Sequence, residues 1–149
     1  MKDMTYQPLT ENDLDMVVKK YVEYYNEAED GYWTYEKAYK RIHQIMTIED
    51  SMCLIQFGDD GEATGFAIGF FKQYDDLLAY YLEEIVIFKG LHGRGYGTDF
   101  LAELQRRASE NGAEHIELVS VNDEHHLHFY KKSGLYAAKN LLVMGKHFT

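Results

Sequence analysis

The stretch Ile85-Val86-Ile87-Phe88-Lys89-Gly90-Leu91-His92-Gly93-Arg94-Gly95-Tyr96-Gly97-Thr98 places four glycines directly behind an apolar run. Without Cβ atoms, the backbone N–H groups of such a loop can come close to a ligand. A helix starting where the glycines end adds unpaired N–H groups and a partial positive charge at the same spot. Together they form an anion site suited to a pyrophosphate, to which Arg94 can add a charge-assisted contact. A P-loop would need Gly-Lys-Ser/Thr at the helix start, and this chain has Gly95-Tyr96-Gly97-Thr98. A dinucleotide fingerprint needs G-x-G-x-x-G, whereas Gly93, Gly95 and Gly97 alternate. Two carboxylates, Glu83 and Glu84, stand just ahead of the loop. Later in the chain, His125, His126 and His128 invite a metal reading, but no cysteine is near and no metal is expected.

The elements that must carry these residues follow from periodicity. Residues 4–9 read as a first strand, and Thr10 with Asp13 has the spacing of a capping box. Leu14, Val17, Val18, Tyr21, Val22 and Tyr25 then recur at helical spacing. A second helix is expected from Thr34, with Ala38, Ile42, Ile45 and Met46 on one side. Residues 51–57 and 63–73 read as a hairpin around Gly58-Asp59-Asp60-Gly61, and 78–88 as a third strand of the meander. After the glycine loop come a helix over about 95–110, with Gly112 as its stop, a strand over 115–121 and a short helix over 123–132. Two final strands are expected at 135–139 and 141–148. Residues 78–121 form a strand–helix–strand crossover, which sets two strands parallel. The fold class is therefore α/β, a mixed sheet with helices on both sides.

Composition bounds the rest. A chain of 149 residues, 46% of them hydrophobic, fits one folded domain that needs no disulfide or metal staple. The lone Cys53, between apolar neighbours, suits an inert core thiol better than a reactive one. The lack of paired cysteines, of a membrane-length apolar run and of a secretory leader points to the cytoplasm. A net charge of −10 disfavours nucleic acid as a partner and draws cations.

The glycine loop resembles the acetyl-CoA signature of the GNAT superfamily, Arg/Gln-x-x-Gly-x-Gly/Ala after the fourth strand. His92, Gly95 and Gly97 stand at its three defining positions, with His92 in place of Arg or Gln. The helix Asp123-Glu124-His125-His126-Leu127-His128-Phe129-Tyr130-Lys131-Lys132-Ser133-Gly134-Leu135 is similar to the family's Asn-x-x-Ala-x-x-Phe-Tyr-x-x-x-Gly-Phe pattern. Tyr130 and Gly134 match it, while His126 replaces the small residue and Leu135 the last aromatic. The resemblance implies a centrally splayed sheet and acetyl-CoA as co-substrate, with no metal. It implies cofactor contacts at Ile85, Val86, Ile87, His92, Gly93, Arg94, Gly95, Tyr96, Gly97, Thr98 and Asn122. The pantetheine arm would pair with the strand near Ile85 and Ile87 like an added strand.

By the same resemblance, an amine attacks the thioester directly. Its ammonium form must first lose a proton to a base. Glu83 or Glu84 would serve; alternation lets only one face the cleft, Glu83 has the family's offset from the loop, and a bulge would reverse that choice. Tyr130 would protonate the departing thiolate. Residues 23–36 hold five acids, five aromatics and no base, which suits a cationic acceptor such as a polyamine, an aminoglycoside or a lysine side chain. Glu29, Asp30, Tyr32, Trp33 and Tyr81 are the candidate acceptor contacts. A solvated helix surface explains the same acids. The partner is thus expected to be a small-molecule or peptide amine, with no membrane and with a homodimer admitted. The competing readings are a non-catalytic acyl-CoA-binding module and a nucleotide-phosphate binder.

Overall fold

The computed structural model describes residues 3–149, which divide into two compact units, one ending at Leu118 and the other spanning Val119–Thr149. The first contains β1 (Thr5–Pro8), a 3₁₀ turn (Glu11–Asp13), α1 (Leu14–Ala28), α2 (Tyr35–Met46), β2 (Leu54–Phe57), β3 (Ala63–Gln73), β4 (Leu78–Ile87), α3 (Tyr96–Glu110) and β5 (His115–Glu117). The five strands lie in the order β1-β2-β3-β4-β5. The first four pair antiparallel in sequence, and α3 carries the chain across so that β5 lies parallel to β4.

The capping box at Thr10 forms: the Asp13 carboxylate accepts from the Thr10 backbone N–H at 2.9 Å. It closes a single 3₁₀ turn before α1 takes over. At the start of α2, the Thr34 hydroxyl accepts from the Lys37 N–H at 3.2 Å and satisfies one of the orphan donors there. The periodic residues of both helices bury as their spacing requires. Val17, Val18, Tyr21, Ala38 and Ile42 pack with Ile55, Phe66, Ile68, Val86 and Phe88 in one core. Strand alternation turns Leu54, Gln56 and Ala67 to the opposite face, where α3 buries Phe100, Leu101 and Leu104. The buried Gln56 amide donates to Tyr96 O at 2.8 Å and to the Tyr6 hydroxyl at 2.9 Å, and its oxygen accepts from Thr64 at 2.6 Å. This fully satisfied group ties the first turn of α3 to the sheet.

Cys53 is buried, and desolvation pushes its thiol up to about 11, as an inert core position requires. No helix among the described residues is long and apolar enough to cross a membrane.

The second unit contains α4 (Glu124–Lys131), whose first turn is capped by the Asp123 carboxylate accepting from the His126 N–H at 2.8 Å. The strand expected over 115–121 stops at Glu117, and the strands expected at 135–139 and 141–148 do not form. Leu141, Leu142, Val143 and Met144 are exposed, so this apolar run drives no burial. Apolar content makes a strand only where a neighbouring ladder accepts its backbone.

The antiparallel pairing of β3 with β4 breaks register between Ile68 and Gly69. Ile68 pairs with Glu84 and Gly69 with Leu82, leaving Glu83 as the extra residue of a bulge. Gly69 is required here. A Cβ at this position would lie 2.5 Å from both the Tyr80 hydroxyl and Tyr81 O. Gly69→Ala is therefore expected to lower unfolding stability by about 1–3 kcal/mol, the usual range for overpacking. A urea melt of the variant beside the wild type checks this.

Candidate active site

The bulge decides where the two carboxylates point. Alternation predicted that only one of Glu83 and Glu84 could face the cleft, and the structure corrects this: both reach Arg41 of α2. Arg41 Nη1 lies 2.8 Å from Glu83 Oε1, and its Nε lies 3.3 Å from Glu84 Oε2. The extra residue lets two successive side chains meet one partner. Partial burial works against the charge of Arg41, yet Glu84 and Glu83 hold its guanidinium above the usual value.

The two carboxylates are not equivalent. Glu84 also accepts from the Tyr25 hydroxyl at 2.6 Å and the Tyr21 hydroxyl at 3.2 Å, both on α1. Among the described residues, Glu83 is hydrogen-bonded by the guanidinium alone, and its side chain is 23% exposed against 13% for Glu84. Tyr81 lies near enough to Glu83 that, after burial, this charge raises its phenol. Its ring stands 5.6 Å from Phe70.

Just before the bulge, the ladder between β4 and β5 ends at Tyr81 opposite Glu117. From Leu82 to Ile87, β4 is paired with β3 and has no strand on its other side among the described residues. Ile85, Val86 and Ile87 lie on this stretch. Val86 turns into the core, while Ile85 and Ile87 are only half-buried.

The glycine loop follows. Gly90, Gly93 and Gly95 have φ of 86°, 78° and 83°. That left-handed region favours glycine, and nothing lies within 4 Å of where a Cβ would stand at any of the three. The loop face is thus open. Gly95 is the N-cap of α3, and Gly97 and Thr98 are in its first turn. The acid of that turn, Asp99, accepts from the Tyr6 hydroxyl. Arg94 is exposed on the loop. Tyr96, expected among the cofactor contacts, is buried, and Gln56 takes its carbonyl, so its backbone N–H is what it can offer a ligand. His92 is also engaged: its Nε2–H donates to Ile87 O at 2.8 Å and its ring stacks on Tyr24 at 5.0 Å. Lys89 pairs with Glu27 at 2.6 Å. The end of α1 therefore braces the loop, which no spacing in the sequence signalled.

The acidic segment 23–36 is partly used up in structure. The Tyr24 hydroxyl donates to Glu29 at 2.9 Å. Asp30, at φ 54°, helps turn the chain out of α1. Trp33 is held by Asn26, which accepts from its N–H at 2.9 Å and donates to its carbonyl at 2.8 Å, and its ring meets Tyr21 edge-on at 5.1 Å. Tyr32 is 94% exposed. These residues do not gather into one acidic pocket. In the second unit, Tyr130 lies half-buried on α4, its ring 5.0 Å from Phe129, and Asn122 is exposed just ahead of the Asp123 cap. Asp123 also contacts His126 Nδ1 at 2.8 Å, so His126 serves the helix start. Among the described residues, no three of His, Cys, Asp or Glu are grouped to hold a metal ion.

Comparison with known proteins places this arrangement. A family model for the acetyltransferase (GNAT) family matches residues 14–135. The chain belongs to that family. Its GNAT fold is shared by a transcriptional regulator from Bacillus halodurans, 20% identical, over 98% of this chain and 100% of that one, with a TM-score of 0.77. A putative acetyl transferase from Pyrococcus furiosus, also 20% identical, covers 98% and 100% with a TM-score of 0.75. An aminoglycoside N-acetyltransferase in complex with CoA is 14% identical over 99% and 97%, with a TM-score of 0.73. No curated protein matches the chain in sequence. The splayed α/β sheet expected from the GNAT resemblance is thus present: β4 and β5 pair over three residues and part at the bulge.

The tyrosines around Glu84 give a pH prediction. Burial and then the Glu84 charge raise the phenols of Tyr25 and Tyr21 well above the ordinary value. A raised folded pKa contributes stability that is complete below the unfolded value near ~10 and is lost as pH rises above it. Stability should therefore fall from about pH 10 upward. Phenolate absorbance and loss of circular dichroism should rise together, and Tyr25→Phe should flatten the slope. Independent titration of all tyrosines with the fold intact would contradict this.

Proposed function

We propose that the chain transfers an acetyl group from acetyl-CoA to a primary amine of a small molecule or peptide, by direct attack in a ternary complex. The observation that carries this reading is the continuity of one strand. The unpaired edge of β4, the bulge with Glu83 and Glu84, and the open glycine loop at the start of α3 follow one another without interruption.

The residues fit the group. The loop N–H groups from Gly93 to Gly97, with the N-terminus of α3 and Arg94, suit the pyrophosphate. The strand-free edge at Ile85 and the Ile87 N–H suit the amides of the pantetheine arm, while Ile87 O is already taken by His92. Acetyl-CoA supplies an acetyl thioester, and the backbone N–H groups of that edge can polarise its carbonyl oxygen. The amine must reach the carbonyl as a free base. Glu83, with fewer donors upon it than Glu84, accepts the ammonium proton directly or through water. A nitrogen–carbon bond would form, the carbon–sulfur bond would break, and the leaving thiolate would take a proton, the role that the family resemblance gives to Tyr130. Glu84, held by two phenols and Arg41, positions the bulge.

Three measurements test this reading. Acetyl-CoA should raise the melting temperature, while ATP and NAD should not, because a ligand of the native state stabilises it by mass action. An ATP shift larger than the CoA shift would sink the proposal. Gly97→Val should abolish the CoA shift and keep cooperative unfolding. Gly97 is a cleaner probe than Gly95, whose positive φ strains any side chain. Tyr130→Phe should lower kcat by roughly 10²-fold, within the range of general acid catalysis, with little change in KM for acetyl-CoA. Equal kcat in a single-turnover assay would remove Tyr130 from the proton path.

A further inference from the structure

We infer that the acceptor is a zwitterionic amine of the amino-acid class, whose carboxylate is read by Lys37 and Lys40 of α2; this rests on the acetyl-transfer reading above. The observation is a groove of about 410 Å³ lined by Trp33, Glu36, Lys37, Lys40, Arg41 and Gln44. Arg41 is shared: it borders the groove and holds Glu83 and Glu84. The groove therefore adjoins the carboxylates assigned to the proton transfer.

Charge decides what fits. Glu83, Glu84 and Arg41 together carry one net negative charge, which suits one ammonium. Among the described residues, neither Lys37 nor Lys40 forms an ion pair. Glu36, the one acid lining the groove, offsets one of them, and one positive charge remains. The N-terminus of α2 adds partial positive charge near Lys37. A positive and a negative centre side by side match an ammonium beside a carboxylate. A polyamine would set its second cation against the lysines. Two of the acids of residues 23–36 that recommended a polyamine are committed elsewhere, Glu27 to Lys89 and Glu29 to Tyr24. Trp33 gives the groove an apolar wall, so an apolar side chain on the acceptor fits best.

The test compares each of the common amino acids with its amide and with diamines, using free thiol release from acetyl-CoA. Trp33 is the only tryptophan, so its fluorescence reports binding in the groove without turnover. Some apolar amino acids should have kcat/KM about 10-fold or more above their amides, the order expected from two cooperating, partly exposed charge pairs. The Lys37→Gln/Lys40→Gln double variant should erase that advantage through KM and leave the amides unchanged. Amides or diamines equal to or better than the amino acids would overturn the inference while leaving acetyl transfer standing. If no amine is turned over, a saturable Trp33 response to amino acids that is lost in the double variant would support the groove and sink the acetyl-transfer reading. No response and no turnover would sink both.

Discussion

The site depends on a steric constraint at Gly69. That residue faces Tyr80 and Tyr81 with no room for a side chain, and there the pairing of β3 with β4 slips by one residue. The slip places Glu83 in a bulge and brings it to the same guanidinium as Glu84. It also follows directly on the last rung between β4 and β5. Beyond it, the backbone of β4 has donors and acceptors on one side that no strand among the described residues uses. A regular ladder would have satisfied them within the sheet and sent alternate carboxylates to opposite faces. One irregularity thus produces both the carboxylate pair and the free edge.

Local periodicity made most of the first unit legible. Leu14, Val17, Val18 and Tyr21 announce α1 by spacing alone, and all four are buried. The extents of β3 and α2 follow from their turn and cap residues in the same way. Pairing over distance was less legible. Nothing around Glu83 marks a bulge, and the residue that has to accommodate it, Gly69, lies on the opposite strand. The C-terminal residues failed for the opposite reason: Leu141 to Met144 have a strand's composition, and their side chains stand in solvent.

Charge was the hardest quantity to read. The sum of −10 over the chain describes the average field. It does not describe a groove a few residues wide. Helix α2 carries Lys37, Lys40 and Arg41 against the single acid Glu36. In the preceding segment, Glu27 is matched by a lysine and Glu29 by a phenol. Arg41 shows why the sign cannot be summed from composition: as an isolated residue it reads as a surface cation, whereas in place it is the common partner of two carboxylates.

The end of α1 bears on how such a protein can change over time. Tyr21 and Tyr25 hold Glu84, while Tyr24 and Glu27, within the next two turns, brace the glycine loop through His92 and Lys89. One short stretch of helix therefore serves both the glycine loop and the carboxylates. A substitution there that altered the surroundings of Glu84 would disturb the loop as well. The outward residues of α2 have no such double duty: Lys37, Lys40 and Gln44 can be exchanged without touching the loop. On the acceptor reading proposed above, drift toward new acceptors would be channelled onto α2, with α1 left as the inherited frame.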